Sequence, residues 1–424
     1  MDILFLSHCV PAPPDKGEKI RSYHELTRLA AQYRVHLACF AKNRSEVEDA
    51  RKLEDRCASV YVEPLGPARL ARAGLSYLAG SCLTASFYGS RRLREHVRSL
   101  AARPLFAAVV YSAVMAQYAP AGIPAVLDMV DVDSEKWFQY ARMRPLGMLY
   151  RAEGKRLRRL EADCASQAAC TLLSTANEAR LLWSFAPGAN VRYMENGVDF
   201  DYFDPALTHE PADLRRRFVV FVGAMDYYPN ADAACWWASH VFPQLRRQQP
   251  DMEFLVVGRN PTRAVRRLAG QPGITVTGPV ADVRPYLSAA EAVVAPLRIA
   301  RGIQNKVLEA LAMGKHTLAS EAVCDTFGQE LPRGIVPCRS PRDYLRFFQQ
   351  GRTASTGLPA AIRGAARGRF SWNTNLQTLA AELESILNRQ DSAEATRMPL
   401  RDGAAHGLPG DCARTLTGEF NRAE

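Results

Sequence analysis

The sequence predicts an α/β protein built from two doubly wound parallel sheets that face each other across a cleft. Three observations predict it. Short apolar runs alternate with amphipathic stretches, which is the pattern of βαβ units. The alternation pauses at "YMENGVDFDYFDP" (193–205) and then restarts. The 424 residues exceed one ordinary core and suffice for two with some excess.

Taken in order, the first half offers strands at "DILFLS" (2–7), "VHLACFA" (35–41), "SVYVEP" (59–64), "FAAVVYS" (106–112), "PAVLDMV" (124–130) and "ACTLLS" (169–174). Helix-like segments separate them at about 18–32, 44–56, 86–102, 134–143 and 146–167. In the second half "FVVFVGAM" (218–225) is a strand, "NADAACWWASHVFPQL" (230–245) a helix and "MEFLVVG" (252–258) a strand. "GITVTGP", "AEAVVAPL" and "KHTLAS" follow as strands, with a helix from about Gln304 between the last two. "FSWNTNLQTLAAELESILN" (370–388) reads as a closing helix. The expected division is a first domain over 1–195, a second over 196–370, a closing helix over 371–388 and a disordered tail over 389–424. The tail is assigned on its few large apolar residues. Each doubly wound sheet presents ligand-binding loops at the carboxyl ends of its strands, so the cleft between the two is the expected site.

With 47% hydrophobic and 23% charged residues the composition is that of a soluble globular protein. The opening residues lack a basic n-region and a small-residue cleavage site, so no secretory signal is expected. The run from Leu75, "LSYLAGSCLTASFYG", is too short and too interrupted for a membrane span. Ten cysteines are scattered without zinc spacing, several inside apolar runs, which fits core residues in a reducing cytoplasm. The net charge of +10 is concentrated: residues 67–103 hold seven arginines against Glu95, and 142–159 hold seven cations against Glu153. The second run keeps Leu149, Leu157 and Leu160 among its charges, as an amphipathic basic helix does. These segments fit either an anionic membrane surface or a solvated helix face. No reader motif for nucleic acid accompanies them, so no nucleic-acid partner is expected.

The stretch "PLRIARGIQNKVLEALAMGKH" (296–316) runs against helix electrostatics. Val307, Leu308, Leu311 and Ala312 form one apolar stripe, so a helix begins near Gln304. A helix start carries partial positive charge and favours acids, yet Arg298, Arg301 and Lys306 crowd it and Glu309 comes a turn later. A bound diphosphate would reverse the sign, because cations and helix N–H groups would both face its oxygens. Glu309 could then accept the hydroxyls of a ribose. The alternative is a Lys306–Glu309 surface pair with two solvated arginines. In the first half, the loop "PAPPDKG" ends at Gly17 before a helix, where backbone N–H groups could meet a phosphate or sugar, or simply make a βα turn. Asp131 and Asp133 invite a divalent metal, but Asp133 and Ser134 equally suit a helix cap. "NGVD" (196–199) is a turn at the domain joint. In "AMDYYPNAD" (224–232), Asn230 or Asp226 could cap a helix, and no cation is present.

The residues "PPDKG", "NGVDFDYFDP", "FVGAM", "VTGPVADVRPYLSAAEAVVAPLR", "GIQNKVLEALAMGK" and the closing "FSW" resemble the GT-B glycosyltransferases of family 4 over nearly the whole ordered chain. "YSAVMAQYA", "VDVDSEKWFQYA" and "GAMDYYPNADA" are similar to the branch associated with exosortase/PEP-CTERM exopolysaccharide clusters. The resemblance implies a GT-B fold of two Rossmann-like domains, with the acceptor bound in the first and the donor in the second. It implies retaining transfer without a metal or a permanently bound cofactor, from a UDP- or GDP-sugar to a growing glycan or lipid-linked acceptor. By position it assigns the donor ribose to Glu309 and the leaving diphosphate to Lys306 and Arg298. It also places backbone contact at Gly17, the base near Val280, and Arg301 and Gly302 in the donor-binding stretch. The expected location is cytoplasmic, peripheral at the inner membrane face. Two departures accompany it: Arg301 stands where many members have a glutamate, and "AMDYYPN" lacks the arginine and lysine often found there. Tyr111 and Ser112 also replace a frequent histidine, so no base is assigned. The competing functions are a nucleotide-sugar epimerase of the same fold and a non-catalytic scaffold.

Overall fold

Runs such as "ILFL" and "FVVFV" are apolar at every position rather than at alternate ones, which a strand tolerates only when both its faces are covered. The computed structural model, which describes residues 1–143, 145–207, 216–350 and 357–397, arranges them in two wholly parallel sheets. The first holds β1 (Asp2–Ser7), β2 (Arg34–Ala41), β3 (Ser59–Pro64), β4 (Leu105–Tyr111), β5 (Ala125–Val130), β6 (Cys170–Leu173) and β7 (Val191–Tyr193). The second holds β8 (Phe218–Val222), β9 (Glu253–Val257), β10 (Ile274–Gly278), β11 (Ala292–Ala295), β12 (Thr317–Ser320) and β13 (Ile335–Cys338). The strand orders are β3-β2-β1-β4-β5-β6-β7 and β10-β9-β8-β11-β12-β13. Each order reverses beside its first strand, between β1 and β4 and between β8 and β11, and such reversals open a crevice for ligands.

Successive residues serve opposite faces. Ile3, Phe5 and Val109 join one core with the helix Gly17–Ala30, while Leu4, Leu6, Ala108 and Val110 join another under the helix Arg91–Ala101. In the second sheet Val219 and Phe221 pack against Trp237, and Phe218, Val220 and Val222 against Leu287 and Met313.

Several elements differ from expectation. The short strands β7 and β13 were not expected, nor was the helix Ala68–Leu78. The helix expected over 86–102 is two, Leu83–Phe87 and Arg91–Ala101, because Ser90 turns extended and accepts from the Leu93 N–H (3.2 Å). Similarly, 230–245 divides into Tyr228–His240 and Phe242–Gln248, the second starting with a proline in its first turn, where the missing N–H costs nothing. Ser134 does not cap its helix; its hydroxyl bonds Glu161 (2.5 Å), and Asp133 is the first helical residue. The closing segment is a short turn, Trp372–Asn375, and a long helix, Gln377–Arg397. It therefore runs past Asn388 into the stretch expected to be disordered, since good helix formers extend a helix without needing an apolar face. Residues 398–424 lie outside the described part. This helix returns to the first sheet, where Trp372, Leu376, Leu379, Leu383 and Ile386 share the core of Ile3 and Phe5.

Arg21 holds the centre of the first domain. Fully buried, it donates through Nε to Asp128 Oδ2 (2.5 Å) and through Nη2 to Asp128 Oδ1 (3.1 Å). Its Nη1 reaches the Met194 carbonyl (2.6 Å) and Asn196 Oδ1 (3.0 Å), which fixes the "NGVD" turn. Glu25 lies 3.3 Å away, and burial together with Asp128 pushes its carboxyl well above the usual range, toward the protonated form. Arg21→Met leaves Asp128 buried without its counter-charge and is expected to cost about 3–5 kcal/mol in urea unfolding. Glu25→Gln, isosteric with the protonated acid, is expected to cost under about 1 kcal/mol. Equal losses for the two variants would contradict this assignment.

Candidate active site

The site is assembled where the two strand-order reversals face each other. From the second domain comes the helix Asn305–Ala312, preceded by Gln304 in extended backbone with no side-chain cap. From the first comes the "PPDKG" loop. A Cβ built on Gly17 would lie 3.6 Å from Asn305 Nδ2, so this glycine confronts the first residue of the opposing helix. Asp15 of the same loop pairs with Arg259 beyond β9 (3.6 Å). The domain joint closes the third side: Asn196 Nδ2 donates to the Ile303 carbonyl (3.2 Å) and Asn305 Oδ1 (3.4 Å).

The three cations at this helix start all have partners, and none of those partners is on the helix itself. Lys306 is buried, donates to Asn230 Oδ1 and sits 4.6 Å from the Phe221 ring centroid. Its ammonium lies under the loop after β8. A Cβ on Gly223 would come within 2.7 Å of Asn230 Nδ2 and 3.1 Å of Lys306 Nζ, so only glycine lets that loop close over the lysine. Arg298 donates through Nε to Asp232 Oδ2 (2.8 Å), with more than half of its side chain exposed. Arg301, expected among the donor-binding residues, instead crosses the cleft to Glu178 of the first domain (2.8 and 3.0 Å). Gly302 next to it has φ +61°, and a Cβ there would strike Asp131 Oδ1 at 2.4 Å. A side chain would be strained and would push the domains apart. Val280 is half-buried against the apolar face of β8 and β9.

Glu309 is half-buried and makes no ion pair or hydrogen bond among the described residues, so the alternative Lys306–Glu309 surface pair does not form. Burial raises the Glu309 carboxyl to about 7, against the pull of Lys306, and lowers the Lys306 ammonium to about 7, against the pull of Glu309. The unliganded site therefore keeps an acid and a base poised near neutrality, an arrangement that marks functional sites.

The carboxylates weighed for a metal are otherwise engaged. Lys136 Nζ lies 2.8 Å from Asp133 Oδ1 and 3.8 Å from Asp131 Oδ2, and Ser174 Oγ donates to Asp131 Oδ1 (2.7 Å). Among the described residues no group of three or more His, Cys, Asp or Glu side chains is placed to hold a metal. Lys136 also faces Tyr227, so a first-domain cation stands opposite the cation-free "AMDYYPN" loop.

The loop that ends at Gly17 meets Asn305, the residue before Lys306, across the cleft. Sequence reasoning missed Glu178, Lys136 and Asp232, which carry no local motif. Asn230 and Asn196 were noticed only as a cap and a turn. Asn230 instead donates to the Ala224 carbonyl (3.0 Å) and receives Lys306.

Residues 216–344 match the family model of glycosyl transferases group 1. A GDP-mannose-dependent alpha-(1-6)-phosphatidylinositol monomannoside mannosyltransferase of Mycobacterium tuberculosis is 26% identical over 250 residues, 53% of this chain and 62% of that protein. The chain thus spans less than two thirds of that relative's length. Among solved structures, a sucrose-phosphate synthase from Thermosynechococcus elongatus superposes with a TM-score of 0.64 at 17% identity, over 93% of this chain and 100% of that one. HepE of Anabaena, solved in complex with UDP, superposes with a TM-score of 0.62 at 16% identity, over 91% and 100%. The fold is therefore GT-B, two Rossmann-like parallel-sheet domains.

The shifted pair at the site fixes a sign for stability against pH. Between the ordinary glutamate value of 4.5 and about 7, the folded chain holds a proton on Glu309 that the unfolded chain has lost, so stability falls as pH rises. Between about 7 and the ordinary lysine value of 10.5, the unfolded chain holds a proton that folded Lys306 has lost, so stability rises again. The unliganded protein is expected to show a shallow stability minimum near pH 7 against this background. The Lys306→Met/Glu309→Gln double variant should flatten it and gain about 1–2 kcal/mol at neutral pH. Thermal melts across the pH range read both, and a variant with the wild-type profile would refute the assignment.

Proposed function

We propose that this protein is a retaining glycosyltransferase that moves a sugar from a UDP- or GDP-sugar to a growing glycan or lipid-linked acceptor, in exopolysaccharide biosynthesis of the exosortase/PEP-CTERM type. The observation that carries the proposal is Glu309, a half-buried carboxylate with no partner among the described residues, one turn beyond a buried lysine at a helix start that faces Gly17 across the cleft. A ribose supplies the hydroxyls that such a carboxylate lacks, and a diphosphate supplies the negative charge that the helix N–H groups and Lys306 lack. The match to glycosyl transferases group 1 over 216–344 supports transfer. The nucleotide stays two-valued, because the mycobacterial relative depends on GDP-mannose and HepE was solved with UDP.

Breaking the sugar–phosphate bond leaves negative charge on the departing diphosphate while cationic character grows at the sugar's first carbon. Lys306 and the helix N–H groups stabilise the leaving group from fixed positions, so little reorganisation is needed as the charge develops. Arg298 contributes once the diphosphate draws it from Asp232. Val280 lies at the strand end offered to the base. The departing phosphate oxygen takes the acceptor's proton on the same face of the sugar, which gives retention without a protein nucleophile. Closure of the domains excludes the water that would hydrolyse the donor. A scaffold reading has one observation in its favour: Asp232 and Glu178 already satisfy Arg298 and Arg301.

Titration calorimetry against UDP and GDP separates the two. Transfer predicts that at least one nucleotide binds, with about 1–3 kcal/mol lost in Glu309→Ala and in Lys306→Ala. Because Lys306 takes up a proton to meet the phosphate, affinity should also weaken as pH rises above about 7. Absence of binding to both nucleotides at millimolar concentration would overturn the proposal in favour of the scaffold.

A further inference from the structure

The helix Ala68–Leu78 is built inside out. At about 100° per residue, Leu70, Ala71, Gly74, Leu75 and Leu78 fall on one arc, and that arc faces solvent: Leu70 is 65% exposed, Leu75 69% and Leu78 83%. The face turned to the protein carries Arg69 and Ala73 instead. Arg69 is anchored there by Glu63 (2.8 Å) and the Gly89 carbonyl (3.0 Å), 4.9 Å from the Phe40 ring centroid. An amphipathic helix normally buries its apolar stripe.

The patch continues onto the start of the helix Gly147–Gln167. Tyr77 Oη donates to the Leu149 carbonyl (3.2 Å), and Arg156 ties the two segments by donating to the carbonyls of Tyr77 (2.7 Å) and Ser81 (3.0 Å). Leu146, Met148 and Leu149, 71%, 87% and 54% exposed, thus join the leucines of the first helix. Exposed cations border them: Arg72 on one helix, and Arg151, Lys155 and Arg159 at i, i+4 and i+8 on the other. Of the acids nearby, Asp163 and the Arg91-paired Glu95 stay exposed, and three turn inward. Glu153 is buried and accepts from the Leu83 and Thr84 N–H groups (2.9 and 2.8 Å), and Glu63 and Glu161 are buried against Arg69 and Ser134.

We propose that this face docks on an anionic lipid bilayer, with Leu70, Leu75, Leu78, Leu146 and Met148 entering the acyl boundary and the bordering cations meeting lipid phosphates. Apolar side chains bordered by cations, with Glu153 buried beneath them, match the layered chemistry of such a surface. A second copy of the chain is a poorer occupant, because face-to-face packing would set the same cations against each other. The patch also adjoins the cleft: the helix Asp133–Met143, whose Gln139 and Arg142 line the space between the domains, packs its Phe138 over Gly154 of the patch helix. Docking therefore deepens the transfer reading by presenting the cleft to a lipid-linked acceptor, although it rests on its own observations.

Flotation of the full chain with phosphatidylglycerol–phosphatidylcholine vesicles, against phosphatidylcholine alone, tests it. The wild type is expected to float with the anionic vesicles only, less so in high salt. Leu75→Glu/Leu78→Glu and Arg151→Glu/Lys155→Glu should each weaken partition by about tenfold or more, with melting temperature and nucleotide binding unchanged. A wild type that stays in solution with anionic vesicles, or variants that float like it, would overturn the proposal. So would a dimer in sedimentation equilibrium that Leu75→Glu/Leu78→Glu dissolves while no vesicle binding is found. Failure of nucleotide binding would sink the transfer reading and leave this measurement standing.

Discussion

Arg21 is the constraint on which the rest of the site depends. Removing a guanidinium and a carboxylate from water costs several kcal/mol, which their attraction recovers only when the remaining donors and acceptors are satisfied. Arg21 meets that condition by donating to both oxygens of Asp128, the Met194 carbonyl and Asn196. Asn196 then holds the Ile303 carbonyl and Asn305 at the start of the second domain's key helix. A buried ion pair in one domain thereby sets the position of the helix start in the other, through one asparagine at the joint. The turn "NGVD" is where it is because its first residue has to reach both ways.

The cations around that helix are explained by their partners rather than by their sequence neighbours. A local reading finds positive charge at the wrong end of a helix. In space, Asp232 neutralises Arg298, Glu178 neutralises Arg301 and Asn230 solvates Lys306. Arg301 and Gly302 also do a mechanical task, since the bridge to Glu178 and the close approach to Asp131 join the two domains at this loop. Lys306 and Glu309 are held in surroundings that disfavour their charged forms, because burial removes the water that would solvate them.

Charge is also sorted at the scale of the whole first domain. In the second basic segment Glu153 turns inward and caps the start of the helix Leu83–Phe87, and in the first Arg69 is neutralised by buried Glu63. No helix among the described residues is long and apolar enough to cross a membrane. Exposed leucines cluster instead on the outer sides of two stretches of helix, at Leu70, Leu75 and Leu78 and at Leu146 and Leu149.

The two parallel sheets were legible in the residues alone, because strands covered on both faces must be apolar throughout, and that signal is local and strong. The unusual charge pattern of Lys306 and Glu309 was legible too, because a pattern at odds with the helix dipole is visible within a single turn. The brief strands β7 and β13 escaped sequence reasoning, since three or four residues carry too little pattern. So did the helix Ala68–Leu78, whose leucines do not face the core and whose packed face is held by an arginine. Only the tertiary structure decided the partners: Asp128 for Arg21, Glu178 for Arg301, Asn230 for Lys306 and Asn196 for the joint. Each lies far along the chain from the group it satisfies, and a buried charge takes whatever complementary group the fold brings within reach, which no spacing in the sequence encodes.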